Sequence, residues 1–368
     1  MSYIEAAQRN GVMAGNGDFT ARCHRWLEDY SGSPRTLLTH SCTAALEMAA
    51  LLLELEPGDE VIMPSYTFVS TANAFVLRGA RPVFVDIRPD TLNLDERLID
   101  AAITPRTKAI IPVHYAGVAC AMDDIIAIAA QHKLRIVEDA AQAILATWRG
   151  KPLGSFGDLG TFSFHETKNV HCGEGGALLV NDSALAARAE VLRDKGTDRS
   201  RFNRGEVDRY TWQDIGSSFL PSEISAAFLL AQLEEATALT TRRLEIWQHY
   251  HAALERLEAA GYLRRPIVPK DCGHNAHMYY ILVSPAIRSE VIKQLLAHNI
   301  HSVFHYVPLH LSPAGRRLGR ALGDLPITCH SADSIIRLPL WIGMTLSDVD
   351  RVAEVLANFM VTMQPYTE

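Results

Sequence analysis

The sequence lacks the cysteine patterns that would assign it to a metal-binding or disulfide-bonded class. Its 368 residues include only six cysteines, and no two of them have the C-x-x-C spacing that is typical of zinc sites. Their wide separation also argues against a disulfide framework. We expect reduced thiols and no metal site; the cysteines are Cys23, Cys42, Cys120, Cys172, Cys272 and Cys329.

Long apolar segments and runs of basic residues are also missing. No segment approaches the ~18 uninterrupted apolar residues that a membrane helix needs. A net charge of -7 without a long basic run argues against a nucleic-acid surface, although basic pockets for a phosphorylated small molecule are compatible with it. Residues 1–5 lack the basic-then-apolar order of a secretory signal. We expect a cytoplasmic protein that binds neither membranes nor nucleic acid.

The apolar residues that are present indicate an α/β fold. Short β-like runs alternate with stretches of helical spacing, such as residues 43–56, 71–77 and 122–132. This alternation predicts a mostly parallel sheet with helices on both faces, and in such sheets ligands bind at the carboxyl ends of the strands. The runs are residues 36–39, 60–63, 82–86, 109–113, 134–138, 160–164 and 177–180.

The chain is too long for one hydrophobic core, so we expect two packed domains. Residues 224–249 have the pattern of one or two long helices leading out of the sheet domain. Beyond them, strand-like and helical segments predict a smaller α+β domain. We place the large domain at 1–240 and the small domain at 241–368. The C-terminal strands are predicted at 278–283, 300–304 and 335–338, and the helices at 288–298 and 346–359.

Lys168 is the first candidate for chemistry. It follows the predicted strand 160–164 and precedes the small-residue segment 173–176, which has the sequence GEGG. A lysine at the end of a buried strand, in a loop where a ligand can approach the backbone, is placed to form a Schiff base with a carbonyl. This placement indicates pyridoxal phosphate. Taken alone, a solvated surface lysine is the commoner explanation.

Two side chains near a second strand end fit the ring of that cofactor. Asp139 lies where the predicted strand 134–138 ends, so its carboxylate can face the pyridine nitrogen and keep it protonated. Gln142 can donate a hydrogen bond to the phenolic oxygen of the ring. The alternative for Asp139 is a residue that caps the next turn.

The remaining parts of a cofactor site also have candidates. Cys42, Thr43 and Ala44 begin a predicted helix, whose free N–H groups suit a phosphate. Ser163 is a second phosphate candidate, and Phe68 can stack on the ring. The alternatives are a helix N-cap without a ligand and an ordinary core aromatic.

Taken together, these segments resemble a known family. The motifs S-x-x-x-x-K with G-E-G-G, E-D-A-A-Q, P-S-Y-T-F and H-S-C-T-A-A-L are similar to those of the DegT/DnrJ/EryC1/StrS sugar-nucleotide aminotransferases. The resemblance covers nearly the whole chain. It implies the fold of type I pyridoxal-phosphate enzymes and amino transfer through a pyridoxamine-phosphate form.

Within that family the chain resembles the dTDP-4-amino-4,6-dideoxygalactose transaminases. This resemblance implies L-glutamate as donor, dTDP-4-keto-6-deoxyglucose as acceptor, and a homodimer with active sites at the interface. One departure concerns the family pattern G-x-N-x-R, which reaches the partner subunit's phosphate; here Ser218 stands in place of the asparagine. The segments that carry the resemblance are 162–169, 195–200, 210–218, 275–278 and 303–310.

The sugar nucleotide needs contacts of its own, for which we name His305, Tyr306, His310 and Asp18 in the loop 15–18. A histidine in an apolar segment is more often structural. The motifs leave open amino transfer at C3, the gluco epimer as product, and a GDP- or UDP-linked substrate.

Two other functions use a similar scaffold. Pyridoxamine-dependent sugar dehydratases have histidine at the lysine position, so Lys168 argues against that reaction. A non-catalytic binding protein need not retain Lys168, Asp139 and Ser163 together. Transamination is therefore the function that the sequence favours.

Overall fold

The computed structural model describes residues 2–361, so residue 1 and residues 362–368 of the two predicted domains lie outside the described part. The strands are β1 Arg35–Thr39, β2 Glu60–Pro64, β3 Arg81–Val85, β4 Thr107–Ile110, β5 Arg135–Asp139, β6 Thr147–Trp148, β7 Lys151–Pro152, β8 Leu159–Ser163, β9 Gly176–Val180, β10 Cys272–Gly273, β11 Tyr279–Leu282, β12 Arg320–Ala321 and β13 Ile335–Leu338. The helices are α1 Ser2–Asn10, α2 Asp18–Ser31, α3 Cys42–Leu52, α4 Val69–Val76, α5 Ile99–Ala102, α6 Met122–His132, α7 Ala186–Arg193, α8 Arg199–Asn203, α9 Glu223–Glu234, α10 Ala236–Ala253, α11 Glu255–Ala259, α12 Pro285–Ala297, α13 Pro313–Leu318, α14 Pro326–Ser334 and α15 Leu346–Met360.

Eight strands form the central sheet, in the order β1-β9-β8-β5-β4-β2-β3-β12. β9 runs antiparallel to both of its neighbours, whereas the other adjacent pairs are parallel. The predicted mostly parallel sheet is therefore confirmed. Parallel strands of this kind direct their carboxyl ends toward one edge of the sheet, where the connecting loops gather.

Both faces of the sheet are covered, because successive residues of a strand point to opposite sides. Leu37 packs in a core with α3, whereas the next residue, Leu38, packs in a second core with α2 and α9. Val61 and Ile62 divide in the same way between the α3 core and a third core that includes α6. The apolar strands are thus buried on two sides, as the sequence pattern predicted.

A separate hydrophobic core lies between residues 246 and 360 and joins α10, α12 and α15 to the two-stranded sheet of β11 and β13. The division at residue 240 stays a prediction. One C-terminal segment belongs to the central sheet all the same, because β12 pairs with β3 at the edge of that sheet. Arg320 of β12 donates from Nε and Nη2 to the Glu60 carboxylate at 2.9 and 2.8 Å, which fastens this strand to β2.

Two predicted elements differ in the structure. Residues 300–304 do not form a strand; Val303 makes only an isolated bridge with Arg337, and both Val303 and Phe304 are exposed. The helix predicted over 43–56 ends at Leu52, because Glu54 adopts a left-handed backbone with φ 54°. Among residues 2–361, no helix is long and apolar enough to cross a membrane, and no cluster of three or more potential ligands could hold a metal ion.

Candidate active site

A cavity of about 460 Å³ opens at the carboxyl ends of β1, β2, β4, β5 and β8. The turns after these strands supply one wall, and residues of the C-terminal part of the chain supply the other. Its size is that of a site for a cofactor and part of a substrate. Of the residues predicted from the sequence, those that line the cavity are Cys42, Thr43, Phe68, Asp139, Gln142, Ser163, Lys168, His305 and Tyr306.

The N-terminus of α3 forms one end of the cavity. Ser41 caps this helix by accepting a hydrogen bond from the backbone N–H of Ala44 at 3.1 Å. Cys42 and Thr43, whose N–H groups have no intrahelical acceptor, line the cavity, and the Thr43 hydroxyl lies 2.8 Å from that of Ser70. Gly176 permits this arrangement, because a side chain there would collide with the backbone of Ser41 and Cys42. Such a helix terminus suits an anionic group.

The predicted phosphate contact of Ala44 stays a prediction. Ala44 does not line the cavity, since its side chain is buried in the α3 core and its N–H group already binds Ser41. Cys42 does line the cavity, but burial raises the pKa of its thiol to about 12. Cys42 is therefore a neutral lining residue at neutral pH.

Asp139 is the last residue of β5 and is held in one orientation. Its Oδ2 accepts a hydrogen bond from the Thr71 hydroxyl at 2.7 Å, and its Oδ1 accepts one from the Ala141 N–H at 3.1 Å. The hydroxyl of Thr67 lies 2.8 Å from that of Thr71. Since the one hydroxyl proton of Thr71 goes to Asp139, Thr67 is the donor to Thr71. The carboxylate is only 5% exposed, so water does not replace these donors.

Lys168 lies in the loop between β8 and β9, five residues beyond the strand end at Ser163. Its own N–H donates to His165 O at 2.9 Å, and Glu166 N donates to Gly173 O at 2.8 Å, which closes the loop. Burial lowers the pKa of the Lys168 amine, Cys42 and Asp139 oppose this shift, and Arg337 adds to it. A lowered pKa increases the fraction of uncharged amine, the form that attacks a carbonyl.

Gln142 and Tyr306 connect the two walls of the cavity. Gln142 Nε2 donates to the Tyr306 hydroxyl at 2.9 Å, and Gln142 Oε1 accepts from Ala116 N at 2.7 Å. The ring of Tyr306 stacks on His305 with centroids 3.7 Å apart. Burial, with the positive charges of Arg337 and Lys168, lowers the pKa of His305 to about 2. His305 is therefore neutral, and its Nδ1 is 2.7 Å from the Tyr115 hydroxyl.

The sequence of this chain is similar to those of one family of known proteins. The family model of the DegT/DnrJ/EryC1/StrS aminotransferases matches residues 1–357. The chain belongs to this family. It is 38% identical to GDP-perosamine synthase of Caulobacter vibrioides over 350 residues, which are 94% of this chain and 91% of that protein.

Two further relatives agree with this assignment. The UDP-4-amino-4-deoxy-L-arabinose--oxoglutarate aminotransferase of Shewanella sediminis is 34% identical over 98% of this chain and 95% of its own length. The crystal structure of NtdA from Bacillus subtilis with bound PMP superposes with a TM-score of 0.89 at 29% identity, covering 98% of this chain and 81% of that one. The protein is thus a sugar aminotransferase of the DegT/DnrJ/EryC1/StrS family.

The cavity fits the pyridoxal-phosphate cofactor of this aminotransferase family. The donor set matches the cofactor part by part: an amine at Lys168 for the aldehyde, a carboxylate at Asp139 for the ring nitrogen, and the α3 terminus with Ser163 for the phosphate. When bound, the cofactor accepts electrons from the carbon that carries the transferred amine. Phe68 is 56% exposed at the rim and available for stacking, whereas Tyr66 is buried in the core.

Three other predicted residues of this aminotransferase do not line the cavity of their own chain. His310 is held by Ser65, whose Oγ lies 2.7 Å from His310 Nδ1 and accepts from His310 N at 3.0 Å. Asp18 begins α2 with its side chain exposed and 3.9 Å from Arg22. Ser218 is exposed and forms a backbone bridge with Asp194. The predicted reach of Ser218 to a partner subunit stays a prediction.

The sequence interpretation missed several residues of the site. Thr71 and Thr67 precede Asp139 by more than 65 positions, so only the tertiary fold brings them to its carboxylate. Arg337 lies in the apolar strand β13, where a single arginine gives no motif. The sequence feature that could have located Thr67 and Thr71 is the repeated occurrence of hydroxyl side chains in segment 65–71. The cavity-lining residues that were not predicted include Ser41, Thr67, Ser70, Thr71, His165, Thr167, Glu174, His277 and Arg337.

Proposed function

We propose that this chain is a cytoplasmic enzyme that transfers the amino group of L-glutamate to C4 of dTDP-4-dehydro-6-deoxy-D-glucose. The products are dTDP-4-amino-4,6-dideoxy-D-galactose and 2-oxoglutarate. The observation that carries amino transfer is the shared cavity of Lys168 and Asp139, in which an amine of lowered pKa and a hydrogen-bonded carboxylate line the same space.

Each residue has a defined task in this reaction. Lys168 would hold the cofactor through its Nζ, and the same amine, once free, would remove the proton from the α-carbon of glutamate and later deliver a proton to C4 of the sugar. Asp139 would keep the ring nitrogen protonated, and Thr71 keeps the Asp139 carboxylate in place. Because one site serves both substrates in turn, we expect ping-pong kinetics.

The dTDP-linked substrate is supported by the position of the subgroup segments. Segment 162–169 contains Lys168, segment 275–278 supplies His277, and segment 303–310 supplies His305 and Tyr306. These parts of the chain border the cavity. Three of the five segments that resemble the dTDP-4-amino-4,6-dideoxygalactose transaminases therefore lie where the sugar would bind.

A GDP- or UDP-linked sugar is the second candidate. The relatives named for GDP-perosamine and for UDP-4-amino-4-deoxy-L-arabinose match at 38% and 34% identity over nearly the whole chain. A change of nucleotide alters a few base contacts and leaves the amine chemistry the same. Transfer at C3 or formation of the gluco epimer would require a different rotation of the sugar in the same cavity.

We further propose a homodimer with its active sites at the interface. Residues 210–215, which precede Ser218, expose large apolar side chains. Trp212 is 80% exposed, and Tyr210 and Ile215 are also exposed. Exposed apolar groups of this density favour a protein contact. Light scattering after size-exclusion chromatography should give twice the mass of the chain, whereas a monomer that is fully active would contradict the proposal.

A panel of nucleotide sugars tests the substrate. The purified enzyme is incubated with glutamate and dTDP-, GDP- or UDP-linked 4-keto sugars, and with a 3-keto sugar, and the product is examined by NMR. We expect the highest kcat/KM with dTDP-4-dehydro-6-deoxyglucose and an axial amine at C4. Preference for another nucleotide, an amine at C3, or an equatorial amine at C4 would contradict the assigned substrate while leaving amino transfer intact.

A further inference from the structure

Arg337 brings a positive charge to the cavity from the C-terminal part of the chain. It lies in β13, opposite Tyr280 of β11, and its backbone N and O bind Val303 at 2.8 and 3.2 Å. These pairings fix Arg337 beside the segment that carries His305 and Tyr306, and all three line the cavity with Lys168. The backbone of Arg337 is therefore held on one side by β11 and on the other by the isolated bridge to Val303.

The Arg337 guanidinium has no protein anion to neutralise it. Among residues 2–361, no carboxylate lies within ion-pair distance of it, and its Nε is buried without a hydrogen-bond partner. Asp139 is engaged by Thr71 and Ala141, and Glu174 is largely exposed and faces His165. A buried donor of a charged group that lacks a partner costs free energy. A site of this kind is completed by an anionic ligand.

The surroundings of Arg337 also favour an anion. Burial, to which the nearby charge of Arg337 adds, lowers the pKa of Arg243 to about 10, and the Arg243 guanidinium donates to the Ala276 and His277 carbonyls. Burial, with the charges of Lys168, Arg243 and Arg337, keeps the pKa of His277 well below its usual value. Among residues 2–361, the part of the cavity lining that comes from the C-terminal region consists of His277, His305, Tyr306 and Arg337 and includes no carboxylate.

We propose that Arg337 binds the α-carboxylate of the amino donor while the donor's amine lies at Lys168. The inference rests on the proposed amino transfer and adds the residue that recognises the donor. The planar guanidinium can donate two parallel hydrogen bonds to a carboxylate. The α-carboxylate is bonded to the same carbon as the amine, so an α-amino acid that reacts at Lys168 brings this group into the space beside it. The γ-carboxylate of glutamate is separated from that carbon by two methylene groups and has more freedom of position.

The two half-reactions separate this role from other anion sites. Glutamate converts the holoenzyme to its pyridoxamine-phosphate form, and this half-reaction is measured through the loss of the visible absorbance band. Arg337→Met should raise the half-saturating glutamate concentration ~100-fold, since two charge-assisted hydrogen bonds are lost. Arg337→Lys should raise it ~10-fold, because the charge is kept and the bidentate geometry is lost. In both variants, the rate of amino transfer from the pyridoxamine-phosphate form to the keto sugar should stay within about twofold of the wild-type rate.

Two further measurements test which carboxylate is recognised. 4-Aminobutyrate has the distal carboxylate but no α-carboxylate, so its slow reaction should be the same in wild type and Arg337→Met. Titration calorimetry of the holoenzyme with 2-oxoglutarate should show binding ~100-fold weaker in Arg337→Met, independently of turnover. Arg317→Met is the matched control, because Arg317 is exposed on α13 and does not line the cavity. It should behave as wild type in both measurements.

Several results would overturn the role of Arg337. An unchanged glutamate dependence in Arg337→Met refutes it, and an equal loss with 4-aminobutyrate moves the contact to the γ-carboxylate. A loss confined to the sugar half-reaction assigns Arg337 to the nucleotide diphosphate, and loss of the visible band in both variants assigns it to the cofactor. If the wild-type holoenzyme does not react with glutamate at all, the proposed function fails instead.

Discussion

Replacement of Thr71 by valine tests how Asp139 is oriented. Thr71 donates to Asp139 Oδ2 at 2.7 Å, and the remaining protein donor to this carboxylate is the Ala141 N–H at 3.1 Å. Both side chains are almost fully buried, so water cannot take the place of the lost hydroxyl. A hydrogen bond to a charged group contributes ~1.5–3 kcal/mol. If that energy serves to hold Asp139 against the ring nitrogen, kcat/KM falls ~10–100-fold.

Steady-state kinetics on purified variants measure this effect. Thr71→Ser keeps the hydroxyl and should stay near wild type, which separates loss of the hydrogen bond from loss of a methyl group. Thr240→Val is the matched control, since the Thr240 hydroxyl is buried and has no hydrogen-bond partner within the described residues. Thr71→Val with activity within twofold of wild type, or Thr71→Ser with an equal loss, would refute the orienting role.

Three further predictions concern charged groups. Asp139→Ala should fold yet lose most activity; full activity would remove Asp139 from the site. Burial lowers the pKa of Lys168, so cofactor uptake by the apo-protein should rise with pH with a midpoint below 10.5, and a midpoint at or above that value contradicts it. The hydrogen bonds from Arg320 lower the pKa of Glu60 from 4.5 to about 2. Glu60→Gln should therefore lose ~2 kcal/mol of unfolding free energy at pH 7, after screening at the one-quarter exposed Arg320. This difference should shrink in denaturant titrations as the pH falls from 4.5 toward 2, and a constant difference would contradict it.

The sequence predicted the elements whose patterns are local. Apolar residues at helical spacing gave residues 122–132, which are the bounds of α6, and apolar runs gave most strands of the central sheet. Lys168 and Asp139 were found because each follows a buried strand, and parallel strands bring their carboxyl ends together.

Features that depend on tertiary contacts were not predictable in this way. Thr71 is 68 positions from the carboxylate it binds, and nothing in its own segment indicates that partner. Residues 300–304 have the composition of a strand, but the fold offers them only the single bridge to Arg337. His310 shares a motif with His305 and Tyr306, yet a motif does not determine which side chains face the cavity. In the structure His310 binds Ser65.

Substitution of Lys168 tests the central claim most directly. The wild-type protein with pyridoxal phosphate should show a visible absorbance band that glutamate removes as 2-oxoglutarate is released. Lys168→Ala should bind the cofactor without forming this linkage and should transfer no amino group to the keto sugar, because no other amine among the lining residues can move the proton. A Lys168→Ala protein that produces the amino sugar from glutamate would contradict the account.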